Sequence, residues 1–221
     1  MTARDVKPPR RYESPRRRAQ AEATRAEILR AAQRLLERDG YAATTMAAVA
    51  AEAGVALKTV YVAFATKSGV LRALWNVLLR GDAEDVPMGD RRWFRDLLAE
   101  PDPGARLDRM ARQSRAVKDR AGALMVVIRD AAAGDGDVAA LWDRIEGQFR
   151  ELLAPVARTF AEEGALRPGL DAGRAADVLW ALNHPDVWRL LVRVRGWSAD
   201  EYESWLAGAF RRELLGGSLA S

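Results

Sequence analysis

The stretch TMAAVAAEAGVALKTVYVAF, residues 45–64, decides the fold of this chain. It holds two short segments with helical spacing, and Gly54 stands between them where a tight turn is needed. Two short helices joined by a glycine-containing turn make a helix-turn-helix, in which the first helix rests on the DNA backbone and the second enters the major groove. An ordinary helical hairpin is the commoner structure and shows the same pattern, so both interpretations stay open at this point.

The second segment, residues 57–64, has two different faces when it is placed on a helix. Val60 and Phe64 fall on the inner face, and Lys58, Thr59 and Tyr61 fall on the outer face. A helix that reads the major groove needs this division, because apolar side chains hold it to the body while polar ones reach the base edges.

The rest of the chain has helical rather than strand periodicity. Thr24 and Glu27 have the spacing of a capping box, which predicts a first helix over residues 24–38 with Gly40 at its end. Pro155 is expected to bend the helix over residues 137–163, and Pro185 interrupts the later pattern over residues 172–195. The further helices are predicted at residues 45–53, 57–64, 68–80, 91–99, 103–119, 121–133, 137–163, 172–195 and 198–215. The sequence therefore predicts an all-α fold, with a three-helix helix-turn-helix domain followed by a larger helical domain.

The composition excludes several classes of protein. The 221 residues include no cysteine and a single histidine, which excludes disulfide frameworks, cysteine nucleophiles and multi-histidine metal sites. His184 stands at a helix break before Pro185, where capping or packing is favoured over catalysis. We expect no enzyme activity, no metal and no cofactor. The longest run of large apolar residues, 124–128, is far shorter than the ~20 residues of a membrane helix, so a cytoplasmic protein is expected.

The positive charge is concentrated at the N-terminus. Residues 1–20 carry seven basic and two acidic side chains, and the remainder carries 28 basic and 29 acidic ones. Three of the basic residues, Arg16, Arg17 and Arg18, stand just before the first predicted helix. A basic arm in front of a near-neutral body is typical of a chain that binds a polyanion, and such arms reach minor grooves or phosphates. A solubilising tail would have the same composition.

The order and spacing of several motifs resemble the DNA-binding domain of TetR-family (tetracycline-repressor-like) transcriptional regulators. The similarity covers residues 24–75, with a looser similarity near the C-terminus to the dimerisation segment of many members. The motifs that carry it are Gly40-Tyr41, Thr44-Thr45, the run VAAEAGV at residues 49–55, and Tyr61-x-x-Phe64-x-x-Lys67.

The resemblance implies a role for individual residues in DNA binding. Thr45 would cap the second helix and give its hydroxyl to a phosphate, and Tyr61 and Lys67 would bind phosphates on either side of the groove. The positions that would face the base edges are Lys58, Thr59 and Val62. A purely structural role is open for each of Thr45, Tyr61 and Lys67.

The start of the third helix departs from the family pattern. Ala56 stands where the family usually has a Ser or Thr cap, and Leu57 stands where a polar residue is common. Both positions are nevertheless assigned to the DNA-binding face. The missing cap is expected to cost ~1 kcal/mol of local stability.

The C-terminal part is expected to form a dimer and to sense a ligand, as the resemblance implies. The last two helices carry more large apolar surface than one inner face uses, which predicts a four-helix interface. The residues assigned to that interface are Trp180, Leu191, Trp205, Leu206 and Phe210. The residues assigned to a ligand pocket, with packed core as the alternative, are Met110, Gln113, Met125, Arg129, Trp142 and Phe149.

These expectations combine into one predicted organisation. Residues 1–20 form a flexible basic arm, residues 21–67 the DNA-binding domain, and residues 68–221 the ligand-binding and dimerisation domain. The predicted function is a homodimeric regulator of a palindromic double-stranded operator, acting as a repressor that a small apolar or aromatic effector releases. The alternative is a nonspecific architectural DNA-binding protein, against which the large C-terminal part argues.

Overall fold

The computed structural model describes residues 15–80 and 88–216, and these residues are mostly helical. A 3₁₀ turn, Met88–Asp90, precedes α5, and a π-helical segment, Arg189–Val194, follows α9. The helices are α1 Pro15–Ala43, α2 Met46–Glu52, α3 Leu57–Phe64, α4 Lys67–Arg80, α5 Arg92–Leu98, α6 Pro103–Ala132, α7 Gly136–Glu162, α8 Ala172–Leu182, α9 Pro185–Trp188 and α10 Ala199–Leu214. The all-α prediction is confirmed.

The three N-terminal helices form a helix-turn-helix unit. The path of the chain bends by 113° between α2 and α3, within the usual range for this motif. Ile28 and Leu36 of α1, Val49 of α2 and Val60 of α3 are buried together. The apolar inner face therefore holds the two short helices against α1, as the periodicity predicts.

The core of this unit continues into the rest of the molecule. The same cluster of buried side chains includes Leu71 and Trp75 of α4, Leu124 and Ile128 of α6, and Leu141 of α7. Burial of apolar surface is the main source of stability, and here one continuous core joins the N-terminal helices to α6 and α7.

A second core lies at the other end of the molecule, between α5 and α10. Phe160 of α7, Leu179 of α8 and Phe210 of α10 are fully buried in it. Arg106 of α6 is 1% exposed at its edge, where its guanidinium makes a bidentate ion pair with Glu163. The long helices α6 and α7 contribute to both cores and connect the two ends.

The first helix begins earlier than the sequence predicts. Pro15 occupies its first position, where the missing N–H costs nothing, and good helix formers follow. The predicted capping box is therefore wrong: Thr24 lies inside the helix, and its hydroxyl donates to the carbonyl of Gln20 at 3.0 Å. Glu27 pairs with Arg30 instead. Gly40, with φ of 77°, breaks the helical path at the other end as expected.

Residues 103–132 form one helix rather than the two predicted. Gly122, two residues after the predicted break at residue 120, lies inside α6, opposite the indole of Trp188. A Cβ at position 122 would stand 2.5 Å from the ring, so the glycine provides space for the ring rather than a turn.

The predicted interruption at Pro185 is confirmed. His184 caps α9, since its Nδ1 accepts a hydrogen bond from the backbone N–H of Asp186 at 3.2 Å. The capping box of Ser198 and Glu201 at the start of α10 is also confirmed.

Candidate functional site

The turn between α2 and α3 is built as a helix-turn-helix requires. The Thr45 hydroxyl accepts a hydrogen bond from the Ala48 N–H at 3.0 Å and so caps α2. Gly54 adopts a φ of 66°, which lets the Val55 N–H return to the Ala50 carbonyl at 3.0 Å. The capping role of Thr45 is confirmed, and its contact with a phosphate stays a prediction.

The outer face of α3 is exposed and partly apolar. Val62 is 80% exposed, Tyr61 49% and Leu57 41%. Lys58 is exposed, and no partner for it occurs among the described residues, whereas Thr59 is half-buried. The N-cap residue, Ala56, makes no side-chain cap, as expected. The structure thus gathers Leu57, Lys58, Tyr61 and Val62 on a surface that a ligand can cover.

An arginine of α1 fixes the C-terminal end of α3, which the sequence reasoning missed. Arg25 donates from Nη1 to the Ala63 carbonyl at 2.8 Å, and its guanidinium lies 4.2 Å from the centroid of the Phe64 ring. This contact satisfies a terminal carbonyl of α3 and sets the position of the helix on α1. No local motif reveals it, because 38 residues separate the partners.

A strained turn connects α3 to α4. Ala65 has φ of 60° and ψ of −49°, and the Thr66 N–H donates to the Phe64 carbonyl at 2.7 Å. These are the features of a γ-turn with a positive φ, which is rare outside glycine. The Thr66 hydroxyl then accepts from the Gly69 N–H at 2.9 Å. The turn fixes the direction of α4 relative to α3.

Lys67 lies in a small network that joins the helix-turn-helix unit to α7. Its ammonium donates to the Tyr41 carbonyl at 2.8 Å and lies 4.0 Å from the centroid of the Tyr41 ring. The Tyr41 hydroxyl donates to Asp135 at 2.7 Å, which caps α7. This hydrogen bond lowers the pKa of Asp135, and burial raises that of Tyr41.

The three arginines of the expected arm are helical. Arg16, Arg17 and Arg18 lie in the first turn and a half of α1, and their side chains are exposed. The flexible arm is therefore wrong for residues 15–20, because nothing between Pro15 and Thr24 breaks a helix. The part of the arm at residues 1–14 lies outside the described residues.

A cavity of about 660 Å³ lies between α4, α5, α6, α7 and the junction of α8 and α9. Its wall is rich in aromatic rings, among them Trp75, Trp93 and Phe94. Five of the side chains assigned to a pocket from the sequence line it: Met110, Gln113, Met125, Trp142 and Phe149. That they bind a ligand stays a prediction.

Arg129 does not line the cavity. Its guanidinium forms ion pairs with Asp130 and Asp186 at the surface of α6. Residue 129 follows Met125 by one helical turn, but its side chain turns toward Asp130 and Asp186, so it does not line the pocket as predicted.

A buried lysine on the cavity wall was missed. Lys118 is 3% exposed, and its Nζ lies 2.8 Å from the Asn183 carbonyl and 2.5 Å from Asn183 Oδ1. The hydroxyl oxygens of Ser114, at 2.9 Å, and Tyr202, at 2.7 Å, complete its contacts. Burial lowers the pKa of this amine well below its usual value. The spacing of Ser114 and Lys118 by one helical turn places both on the same face of α6. Because the predicted helix ends at residue 119, the sequence prediction places Lys118 near a helix end.

Two other polar side chains on the same wall, His184 and Trp180, differ in their hydrogen bonds. Nδ1 of His184 accepts from a backbone N–H, so Nε2 carries the hydrogen and faces Glu146 Oε1 at 3.2 Å. The indole nitrogen of Trp180 is buried and has no hydrogen-bond partner within the described part of the chain. A residue that lines the cavity therefore carries an unused donor.

The residues assigned to a dimer interface do not share one surface. Leu206 and Phe210 are fully buried in the second core, so a second copy cannot reach them, and Trp180 lines the cavity. The assignment of Leu206 and Phe210 is wrong, because that face of α10 packs within the subunit, and the assignment of Trp180 stays a prediction. Leu191 and Trp205 are half-buried. Leu190, 47% exposed, and Val194, 60% exposed, are the large apolar residues left open in this region.

Residues 15–80 and 88–216 provide neither a metal-binding cluster nor a single membrane-spanning helix. No cluster of three or more histidine, aspartate or glutamate side chains there has a metal-binding arrangement. No single helix in these ranges has the length and apolar character to cross a membrane; α2 and α3 reach that threshold only when taken together across their bend.

Comparison with known proteins agrees with this geometry. Residues 28–74 match the family model described as "Bacterial regulatory proteins, tetR family". No curated protein gives a significant sequence match.

Several solved structures have the same fold over nearly their whole length. NalD, the secondary repressor of the MexAB-OprM multidrug efflux pump in Pseudomonas aeruginosa, is 21% identical, with a TM-score of 0.69 over 90% of this chain and 100% of that one. A protein from Saccharomonospora viridis solved in complex with choline is 20% identical, with a TM-score of 0.69 over 88% and 98%. A TetR transcription regulator from Haloarcula marismortui is 20% identical, with a TM-score of 0.64 over 87% and 99%. The helix-turn-helix domain of this chain thus matches the tetR family model, and its described residues share the fold of these solved structures.

Proposed function

We propose that this chain is a homodimeric transcriptional regulator that binds a specific double-stranded operator and is released from it by a small apolar or aromatic effector. The observation that carries the proposal is the outer face of α3, where Leu57, Lys58, Tyr61 and Val62 are exposed on a rigidly docked helix. Exposed apolar side chains beside an unpaired lysine are unusual on a surface that contacts only water. They suit a major groove, which offers thymine methyl groups and guanine acceptors.

The proposed contacts divide into those that position the protein and those that read sequence. Thr45 and Tyr61 contact phosphates. Lys67 also contacts a phosphate, through the ammonium N–H groups that are not donated to the Tyr41 carbonyl. Lys58 and Val62 meet base edges, whereas the half-buried Thr59 and the N-terminal Ala56 and Leu57 contribute close packing against the groove. Arg16, Arg17 and Arg18 extend the basic surface along the first turns of α1.

The test begins with selection of bound fragments from genomic DNA, followed by fluorescence anisotropy on the selected site. We expect Lys58→Ala to weaken binding to the selected site by about tenfold or more and to relax its specificity, in line with the ~1–3 kcal/mol of a base contact. Arg92→Ala is the matched control, because Arg92 is a highly exposed cation on α5, far from α3 in sequence. Equal loss on unrelated competitor DNA would favour the architectural alternative.

A twofold dimer is proposed through the region between α8 and α10. Leu190 and Val194 of the π-helical segment are exposed there, with the half-buried Leu191 and Trp205 beside them in the fold. A twofold axis would place two α3 helices about one DNA turn, ~34 Å, apart. Sedimentation of the wild type at micromolar concentration is expected to show a dimer, and Leu190→Asp with Val194→Asp a 24.4 kDa monomer. A monomeric wild type would exclude the dimer.

The cavity is proposed as the effector site, and α4 as the element that responds. Trp75 and Leu79 of α4 line the cavity, while Val70 and Leu71 pack in the core of the helix-turn-helix unit. A ligand that displaces α4 therefore changes the position of both α3 helices in a dimer. A bound compound that leaves operator affinity unchanged would reject this coupling.

A further inference from the structure

The wall of the effector cavity contains a buried lysine. Lys118 is fully enclosed between α6, Asn183 and α10, and its hydrogen-bond partners are the neutral oxygens of Asn183, Ser114 and Tyr202. Buried charges in proteins are normally paired with an opposite charge. No carboxylate contacts Lys118 anywhere in the described residues. The fold thus leaves the ionic partner of Lys118 to be supplied from outside.

A second group on the wall favours the same kind of ligand. The indole N–H of Trp180 is buried without an acceptor among the described residues. A buried donor that stays unsatisfied loses its hydrogen bond to water and gains none in return. The Trp180 N–H can donate to an oxygen that carries negative charge, and the same group beside Lys118 would favour the charged form of its amine.

The remaining wall defines the rest of the ligand. Much of the cavity wall is apolar, as Trp75, Met125 and Phe149 illustrate. The cavity volume of about 660 Å³ is large enough for a drug-sized molecule. A ligand that fits has one anionic group and an extended apolar or aromatic part.

Two carboxylates on the wall do not change this inference. Glu146 accepts a hydrogen bond from His184 Nε2, so a donor already satisfies it. Glu151 is exposed and lies toward solvent. No ion pair or hydrogen bond joins either of them to Lys118 among the described residues, and a single buried amine suits a ligand with one carboxylate.

We propose that the effector is an apolar or aromatic monocarboxylate, whose carboxylate pairs with Lys118 and whose apolar part fills the aromatic portion of the cavity. This rests on the proposed function, in which the cavity is the effector site. The indole N–H of Trp180 is a second candidate donor to the ligand.

The first experiment compares three probes that share one ring system and differ in charge: 2-naphthoate, 2-naphthylmethanol and 2-naphthylmethylammonium. Binding to the full-length chain is measured by calorimetry and by tryptophan fluorescence. We expect 2-naphthoate to bind at least tenfold more tightly than the alcohol, and the ammonium probe most weakly. A preference for the ammonium probe, no preference for the acid, or failure of all three to bind would overturn the inference.

Variants then locate the effect. Lys118→Met is expected to remove the preference for the acid while it changes the affinity for the alcohol by less than about threefold. Arg129→Met is the matched control, since it removes a cation from α6 outside the cavity, and it should keep the preference. Trp180→Phe keeps a ring and removes the N–H, so it should weaken the acid more than the alcohol, and it provides a test if Lys118→Met does not fold. An acid preference that persists in both cavity variants contradicts the proposal.

The outcome for the proposed function is measured separately. Operator binding without any probe decides whether the chain is a DNA-binding regulator. If the alcohol binds and releases DNA while the acid has no advantage, the inference about Lys118 is wrong and the proposed function stands.

Discussion

The hydroxyl of Tyr41 donates a hydrogen bond to Asp135 Oδ2 at 2.7 Å, although 94 residues separate the two in the chain. Tyr41 ends the first helix of the DNA-binding unit, and Asp135 caps α7, which lines the cavity. Ser68 donates in parallel to Asp137 at 3.1 Å. These two contacts join the helix-turn-helix unit to the start of α7.

Removal of the Tyr41 hydroxyl tests this connection. Tyr41→Phe is expected to lower the free energy of unfolding at pH 7 by ~1 kcal/mol, the usual value of such a hydrogen bond. The hydrogen bond from Tyr41 lowers the pKa of Asp135 in the folded state, so its stabilisation is present above the unfolded pKa of about 3.9 and is lost as the pH falls through the folded pKa.

Urea unfolding at several pH values measures the effect. The difference between wild type and Tyr41→Phe should be constant from pH 5 to 7 and shrink below about pH 3.9. A difference that grows on acidification would contradict this assignment. Tyr61→Phe is the control, because the exposed Tyr61 has no described hydrogen bond and its change should leave stability unaltered.

Gly122 is required by the ring of Trp188. A Cβ at position 122 would lie 2.5 to 2.9 Å from three ring atoms, so Gly122→Ala should destabilise the fold by ~1–3 kcal/mol, as overpacked cores do. Gly147→Ala on α7 is the matched control. Nothing lies within 4 Å of a Cβ there, so the higher helix propensity of alanine should stabilise by ~0.5–1 kcal/mol. Thermal unfolding that ranks the two variants in the opposite order would refute the packing argument.

Ala65 has a positive φ that suits glycine better. Ala65→Gly should raise the free energy of unfolding by ~1 kcal/mol, because the strain of the γ-turn exceeds the entropy that glycine adds to the unfolded chain. Ala140→Gly, at an exposed position inside α7, should lower it by ~1 kcal/mol. Guanidinium titrations compare the two, and a loss of stability in Ala65→Gly would show that the turn is unstrained.

The uncapped start of α3 is open to improvement. Ala56→Ser should stabilise the protein by ~1 kcal/mol, because the hydroxyl can accept from an N–H that has no side-chain partner in the wild type. Thr45→Ala removes the corresponding cap of α2 and should cost about the same amount. Melting temperatures report both changes; unchanged stability in Ala56→Ser would mean that water already satisfies the N–H groups.

The sequence predicts the helix-turn-helix closely because its signals are local. Thr45 caps the helix that follows it, Gly54 supplies a positive φ, and Val60 and Phe64 lie one turn apart. The bounds predicted for α3, residues 57–64, agree with the structure. Capping and periodicity act over three or four residues, so they can be detected in a single sequence.

The sequence predictions fail where contacts with residues far away in the chain determine the role of a side chain. Residues 103–132 are predicted as two helices but form one, in which Gly122 lies against Trp188, 66 positions later. Lys118 resembles a surface cation until Asn183 and Tyr202 close over it. Leu206 and Phe210 resemble an interface until α10 packs on α6 and α8. In each case tertiary packing, which periodicity does not encode, determines the role of the side chain.

The core that runs without interruption from α1 through α4 into α6 and α7 has a consequence for how this regulator can be rebuilt. The helix-turn-helix unit cannot be fused to the C-terminal helices of another protein directly after α3. Trp75 and Leu71 of α4 would then pack against side chains that do not fit them. A working chimera must carry along the stretch of α6 around Leu124 and Ile128, and heat should melt both halves in a single step.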